Sequence, residues 1–139
     1  MTLFVDTSVW SLALRREHAS AALEVGILRH ALEGGETIVT TGLVLQELLQ
    51  GFAGPRARKD IINRFAALPI LAPDRQDHID AAELRNRCRR AGVQIGTIDA
   101  VIAQLCIRHE LVLLTTDNDF VLVAPYCSLI VWDARFGAT

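Results

Sequence analysis

Residues 97–117 read TIDAVIAQLCIRHELVLLTTD and decide the fold, because a helical pattern leads directly into a strand pattern that ends on an acid. Apolar side chains recur at helical spacing in the first part and predict a helix over residues 97–109. These side chains are Ile98, Val101, Ile102, Leu105 and Cys106. Residues 111–114 are all apolar, which is typical of a strand buried on both faces. Asp117 follows this strand.

The same alternation of helical and apolar strand patterns extends over the rest of the chain. Strands are predicted at residues 3–5, 37–40, 69–71, 111–114 and 128–132, and helices at 8–16, 21–32, 43–52, 56–68, 77–91, 97–109 and, briefly, 120–123. In the helix at 77–91, we expect Ile79, Ala82 and Leu84 to face the core. Apolar strands separated by helices predict an α/β protein with a parallel sheet covered on both faces.

Size and composition are those of an ordinary globular protein. The 139 residues, 51% of them hydrophobic, suit one compact domain over residues 1–139. No apolar stretch reaches the ~18–20 residues of a membrane span, and residues 1–6 do not resemble a signal peptide. We therefore expect a cytoplasmic protein without membrane contact. Three cysteines, Cys88, Cys106 and Cys127, fit neither a disulfide framework nor a zinc site and are expected to be buried free thiols.

Acidic residues follow two of the predicted strands. Asp6 comes directly after the first strand, and Asp117 and Asp119 come after the strand at 111–114. Ligands of parallel sheets bind at the carboxyl ends of the strands, so these acids are expected to meet there. Taken singly, Asp6 could instead cap the next helix, and Asp117 could belong to a turn.

Two further acids lie on predicted helices. Asp99 is in the first turn of its helix, where the helix dipole alone favours an acid, and Glu47 could be a solvated side chain on a polar helix face. If Asp6, Glu47, Asp99 and Asp117 converge, each pair repels by about 3 kcal/mol at ~5 Å. Such a cluster needs shared protons or a cation, and carboxylate oxygens favour Mg²⁺ or Mn²⁺. The hydroxyls of Thr7, Ser8 or Thr116 could position a water or a phosphate oxygen.

Four segments together resemble the motifs of PIN-domain ribonucleases. They are residues 5–10 (VDTSVW), 46–51 (QELLQG), 91–103 (AGVQIGTIDAVIA) and 113–120 (LLTTDNDF). Each is weak alone, but all four in this order are specific, and they span essentially the whole chain. The length resembles that of the VapC toxins of bacterial and archaeal toxin–antitoxin modules.

The resemblance implies a three-layer α/β/α sandwich and RNA cleavage that depends on Mg²⁺ or Mn²⁺. It also implies a homodimer that a VapB-type antitoxin inhibits. By position, Asp6, Glu47, Asp99 and Asp117 are the catalytic acids, and Asp6, Asp99 and Asp117 hold the metal. Asp119, Thr7, Ser8 and Thr116 match auxiliary positions.

The basic residues give a less specific signal. Thirteen of the 14 are arginine, and Arg85, Arg87, Arg89 and Arg90 lie close together near the end of one predicted helix. They could contact RNA phosphates or form a solvated surface at the helix C-terminus. The net charge of −2 does not itself indicate a nucleic-acid binder.

Other classes with acids at strand ends are disfavoured. A phosphorelay receiver usually needs a lysine late in the chain, whereas the only lysine is Lys59. The chain has no G-x-x-x-x-G-K motif of P-loop hydrolases and no G-x-G-x-x-G after the first strand. A solitary PIN nuclease in RNA processing and a non-catalytic binding module on the same fold stay open as alternatives.

Overall fold

Five short strands and seven helices alternate along the residues that the computed structural model describes, 1–15, 22–34 and 36–134. The strands are β1 (Thr2–Val5), β2 (Thr37–Thr41), β3 (Ile70–Leu71), β4 (Val112–Leu114) and β5 (Ile130–Val131). The helices are α1 (Thr7–Leu14), α2 (Leu23–Leu32), α3 (Gly42–Gly51), α4 (Pro55–Phe65), α5 (Arg75–Arg90), α6 (Thr97–Arg108) and α7 (Asn118–Val123). All the predicted elements are present, with bounds that differ by up to three residues. Arg16, Ala21 and Gly35, which fall in or beside predicted helices, lie outside the described residues.

The five strands form one parallel sheet in the order β3-β2-β1-β4-β5. The chain starts in the middle of the sheet, moves outward through β2 and β3, and returns to place β4 on the free side of β1. The strand order therefore reverses between β1 and β4. In parallel sheets, this reversal opens a crevice at the carboxyl ends of the two strands, where ligands bind.

Helices cover both faces of the sheet. Right-handed crossovers put the helices between β1 and β3 on one face and those that follow β3 on the other. The helix contacts agree, because α1 packs on α2 and α3, α3 packs on α4, and α5 packs on α6. The predicted α/β/α sandwich is confirmed. Among the described residues, no helix is long and apolar enough to cross a membrane.

The inner face of α5 differs from the prediction. Ile79 is 46% exposed and Ala82 is also exposed, so the expectation that both face the core was wrong, whereas Leu84 is buried as predicted. The buried positions are Asp77, Ala81, Leu84 and Cys88. A buried aspartate thus occupies the place that an apolar side chain was expected to fill. Ile98 in the first turn of α6 was also expected in the apolar stripe, but it is 45% exposed.

An ion pair explains why Asp77 faces inward. Its side chain is 1% exposed, and its Oδ1 lies 3.1 Å from Nε of Arg108 on α6. Its Oδ2 accepts a hydrogen bond from the Asp74 amide at 2.9 Å, and Asp74 in turn accepts from the Asp77 amide, which closes a capping box at the start of α5. Arg108 also pairs with Asp74 at 2.9 Å. The arginine therefore ties the end of α6 to the start of α5.

The three cysteines are free thiols, as predicted. Cys88 and Cys106 are buried, whereas Cys127 is only half-buried, so its predicted burial is wrong. Its thiol lies after the short 3₁₀ turn at Ala124–Tyr126 and contacts the Val123 carbonyl at 3.6 Å.

Candidate active site

The carboxyl ends of β1 and β4 bring Asp6 and Asp117 to the same edge of the sheet. Val5 pairs with Leu114 in the parallel register, and the Asp6 amide donates to the Leu114 carbonyl at 2.9 Å. Asp6 is only 6% exposed. Two residues 111 positions apart in the sequence thus flank one crevice, as the sequence predicted.

One oxygen of Asp6 is held by hydroxyl groups. Its Oδ2 accepts from Ser8 Oγ at 2.7 Å and from Thr115 Oγ1 at 2.9 Å, and the Ser8 amide lies 3.4 Å away. The described residues give no hydrogen bond to its Oδ1. Because Oδ2 is fixed both from α1 and from the residue after β4, the carboxylate has a set orientation, and Oδ1 is left for a ligand.

Thr115 is a residue that sequence reasoning missed. Its hydroxyl donates to Asp6 and accepts from the Asp117 amide at 2.9 Å, so it links two of the acids. The neighbouring Thr116, which was expected to supply the hydroxyl, has an exposed side chain, and its amide donates to Ser8 Oγ at 3.0 Å. Only the pairing of β1 with β4 identifies Thr115 as the neighbour of Asp6.

The helix-capping alternative for Asp6 is also correct, whereas Asp117, for which a turn was the alternative, caps a helix. Asp6 is the N-cap of α1. Asp117 is the N-cap of α7, and its Oδ1 accepts a hydrogen bond from the Asp119 amide at 2.9 Å. Asp119 is exposed in the first turn of α7. The capping hydrogen bonds hold each carboxylate in place at the end of its strand. The same bonds therefore cap the helix and position the acid in the site.

Glu47 reaches the site from α3. Its side chain is exposed on the described surface, and Oε1 accepts from Thr7 Oγ1 at 3.4 Å, which brings α3 to the start of α1. Partial desolvation and, next, the Asp6 charge raise the pKa of Glu47, while the Thr7 hydroxyl opposes this. Glu47 is thus close enough to Asp6 for the two charges to repel.

Asp99 joins the cluster from the first turn of α6. Desolvation is the largest cause that raises the pKa of its carboxyl to about 6, followed by the charges of Asp6, Asp117, Glu47 and Asp119. A carboxyl whose pKa is raised by four other acids lies among them. The Asp99 carboxyl therefore lies within electrostatic range of the other four acids at this edge of the sheet.

The acids fit a hard divalent cation in their chemistry but do not form a closed ligand shell. Within the described ranges, no three carboxylate, imidazole or thiol groups lie close enough together to hold a metal ion directly. Mg²⁺ usually keeps several waters and takes only one or two carboxylates from the protein. The unshared Oδ1 of Asp6 and the repulsion at Asp99 match a partly hydrated ion of this kind.

The four arginines near the end of α5 do not point the same way. Arg85 Nε donates to the Ile95 carbonyl at 2.9 Å, in the loop before α6. Arg87 points to the other side and donates to the Tyr126 carbonyl at 3.4 Å. Arg89 and Arg90 are exposed, and no hydrogen bond or ion pair with described residues joins any of the four to the acids.

Replacement of Thr115 by valine is expected to lower the activity of the site by 10- to 100-fold, the range for partners that orient metal-binding groups. The valine keeps the shape but leaves Asp6 without one of its two hydroxyl donors. Cleavage rates of an RNA substrate measure the loss. Thr115→Ser retains the hydroxyl and should recover most of the rate. Thr116→Val is the matched control, and a loss equal to that of Thr115→Val would contradict the assignment.

Comparison with known proteins agrees with this geometry. The family model described as the PIN domain matches residues 3–124. The chain is 31% identical over 131 residues to the VapC ribonuclease Mb1587 of Mycobacterium bovis. The matched segment covers 91% of this chain and 95% of the relative. Ribonuclease VapC11 of Mycobacterium tuberculosis matches over the same length with the same identity.

Solved structures share the fold. VapBC2 of Rickettsia felis bound to a DNA fragment from its promoter superposes with a TM-score of 0.72 at 21% identity, covering 95% of this chain and 98% of the other. VapBC-1 of nontypeable Haemophilus influenzae gives 0.73 at 18% identity over 96% and 98%. VapC20 of Mycobacterium tuberculosis, a toxin that cleaves the sarcin–ricin loop, gives 0.67 at 19% identity over 91% and 98%. The chain therefore belongs to the PIN domain family, as a member of its VapC type.

Proposed function

We propose that this chain is a ribonuclease that hydrolyses RNA phosphodiester bonds with Mg²⁺ or Mn²⁺. The observation that supports the proposal most strongly is the place of Asp99, whose carboxyl has its pKa raised first by desolvation and then by the charges of Asp6, Asp117, Glu47 and Asp119. A partly desolvated carboxyl beside other acids is typical of a site that is completed by a cation. The ribonuclease names of the VapC relatives support the same reaction class.

In this mechanism, Asp6, Asp99 and Asp117 would hold the ion, at least one of them through water. When bound, the ion neutralises charge on the phosphate and lowers the pKa of a nearby water. Ser8 and Thr115 keep Asp6 oriented through its Oδ2. Glu47, whose raised pKa makes its carboxylate a better base, accepts a proton from the attacking water. In-line attack at phosphorus leaves a 5′-phosphate and a 3′-hydroxyl.

Metal removal tests the proposal. RNA cleavage by the purified protein is expected to stop in excess EDTA and to return when Mn²⁺ or Mg²⁺ is added beyond the chelator. Gel analysis of a labelled RNA gives the rate, and elemental analysis verifies that the metal is gone. Full activity in verified metal-free protein would contradict the metal dependence. No cleavage of any RNA with added Mn²⁺ would instead favour the non-catalytic binding module.

We further propose that the nuclease is the toxin of a cytoplasmic toxin–antitoxin module, acts as a homodimer, and is inhibited by a VapB-type antitoxin. The VapBC complexes among its structural relatives support this partner class. A neighbouring reading frame for a small DNA-binding protein and growth arrest on expression of the chain alone are the expected observations. Their absence would favour a solitary nuclease in RNA processing.

A cavity of about 600 Å³ beside α1 and α4 is a suitable place for such a partner to bind. It is lined by Ala13, Leu14, Arg15, Phe52, Gly54, Pro55, Arg56, Ala57, Asp60, Ile61 and Arg64. Its apolar side chains and three guanidinium groups, whose charge Asp60 offsets only in part, favour a segment that is both apolar and acidic. Trp10 lines an adjoining cavity, and its buried indole N–H lacks a hydrogen-bond partner among the described residues.

Ala57→Arg is expected to abolish inhibition by the product of the adjacent reading frame without changing RNA cleavage. The larger side chain fills the cavity at a half-buried position that lines it and so excludes the partner segment. Pull-down and cleavage assays with the purified partner measure the two properties. Ala67→Arg, an exposed position outside the cavity, is the matched control. Unchanged inhibition of the Ala57 variant would show that the partner binds elsewhere.

A further inference from the structure

The outer groove between α5 and α6 has positive charge and no acid among its described lining residues. One part, of about 220 Å³, is lined by His78, Ala81, Ala82, Arg85, Asn86, Thr97, Ala100 and Val101. A second part, of about 90 Å³, is lined by Arg85, Arg89, Val93, Gln94 and Ile95. Arg85 belongs to both, so the two parts adjoin. In a chain with 16 acidic residues, none of the described residues that line this groove is Asp or Glu.

The two arginines of the groove have charge to offer a ligand. Arg85 and Arg89 are one helical turn apart and lie on the same face of α5. Neither forms an ion pair with a residue that the structure describes, and Arg85 uses only Nε, to hold the Ile95 carbonyl. Its terminal nitrogens are left for a phosphate, which guanidinium groups bind in a bidentate way.

Arg87 has different surroundings from Arg85 and Arg89, because acidic side chains lie beside it. It lies about 200° around the helix from Arg85, where it lines a separate cavity with Asp80 and Glu83 and donates to the Tyr126 carbonyl. These acids offset its charge. Three arginines that look alike in the sequence therefore fall into two groups, and only one group faces an acid-free groove.

The groove begins at the helix end that carries Asp99. Thr97 lines the groove, while Asp99 lies about 200° around α6 from Thr97, toward the acidic crevice. An α-helix is about 10 Å across, so a strand that crosses the start of α6 reaches the groove within a few nucleotides of the acids. The hydroxyl, amide and imidazole groups of Thr97, Asn86 and His78 can contact ribose and bases there.

We infer that the α5–α6 groove binds single-stranded RNA beside the cleaved bond, with Arg85 and Arg89 on its phosphates. The inference rests on the proposed function and adds the path of the substrate to it. A second copy of the chain is the other candidate for this face, because Ile79 and Ile98 are exposed nearby in sequence. Because Arg85 and Arg89 have no acid beside them in the lining of the groove, a polyanion is favoured over a second copy of the chain.

Salt dependence of RNA binding tests the inference. The probe is a fluorescein-labelled single strand of about twelve nucleotides, within the site sizes of single-strand binders. Anisotropy titrations of the full chain are run in EDTA over a range of salt, and the recovered RNA is checked on a gel. Arg89→Gln should reduce the slope of log Kobs against log salt by about 0.7, the value for one single-strand phosphate contact. Arg87→Gln is the matched control and should leave the slope unchanged.

The outcomes separate this inference from the proposed function. If the wild-type chain cleaves RNA with Mn²⁺ but Arg89→Gln keeps the wild-type slope, only the groove assignment is overturned. If Arg89→Gln alters the molar mass measured by light scattering instead of the slope, the groove is an interface between copies. If the wild-type chain neither binds nor cleaves RNA, the proposed function itself fails.

Discussion

Asp99→Asn is expected to abolish RNA cleavage while it raises the thermal stability of the metal-free protein. Activity should fall by more than a hundredfold, because partners that merely orient metal-binding groups already cost 10- to 100-fold when they are lost. Stability should rise because the substitution removes a carboxylate that is desolvated in the fold and is also repelled by four other acids. A residue that harms the fold but helps the reaction is expected at a catalytic centre.

The stabilisation should depend on pH in a defined direction. The pKa of Asp99 rises from its usual value of 3.8 to about 6 in the folded chain. The folded state therefore holds this proton more tightly than the unfolded state, and the ionised carboxylate destabilises the fold increasingly as pH rises from about 4 to above 6. The gain in Tm from Asp99→Asn should be absent near pH 4 and reach its full size above pH 6.

Melting curves in EDTA from pH 4 to 8 give this result directly. Glu83→Gln, which removes one exposed acid from α5, is the matched control and should show no such trend. Addition of Mn²⁺ should raise the Tm of the wild-type chain more than that of Asp99→Asn. A variant that melts below the wild type at neutral pH would contradict the repulsion that is proposed for the cluster.

Arg108→Ala is expected to cost about 2–3 kcal/mol of unfolding free energy. Removal of one partner from a buried ion pair costs about 3–5 kcal/mol, and the partial exposure of Arg108 reduces this. The loss arises because Asp77, 1% exposed, would keep a buried charge without its cation. For a domain of this size the Tm should fall by roughly 10 °C.

A double-mutant cycle separates the ion pair from the loss of arginine packing. Asp77→Asn combined with Arg108→Ala should be less destabilised than the sum of the two single variants, because no buried charge remains. Arg75→Ala is the matched control, since this arginine on α5 is exposed and forms no ion pair with described residues. Additive losses in the cycle would contradict a coupled pair.

The sheet and its acidic edge were predictable from the sequence because both depend on local patterns. Apolar runs such as residues 111–114 identify the strands, and an acid directly after a strand must lie at its carboxyl end. That Glu47 and Asp99 join this site was instead implied by the family resemblance. Helical spacing alone does not tell which side of a helix meets the crevice.

What the sequence did not reveal depends on contacts between distant segments. Thr115 rather than Thr116 touches Asp6 because Val5 pairs with Leu114, and no local pattern encodes that register. Asp77 is buried because Arg108 lies opposite on another helix, which also turns Ile79 outward. These two errors have the same physical origin, since in both a contact between distant segments decided the outcome.

The pairing of β1 with β4 also determines when the site first exists. A ribosome makes Asp6 almost at once but must translate 111 more residues before Asp117 can meet it. Until then, β1 has no partner on that side, Thr115 is missing, and Asp6 is a lone carboxylate. A nascent chain therefore lacks the paired acids of the site until nearly all of the described fold has been synthesised.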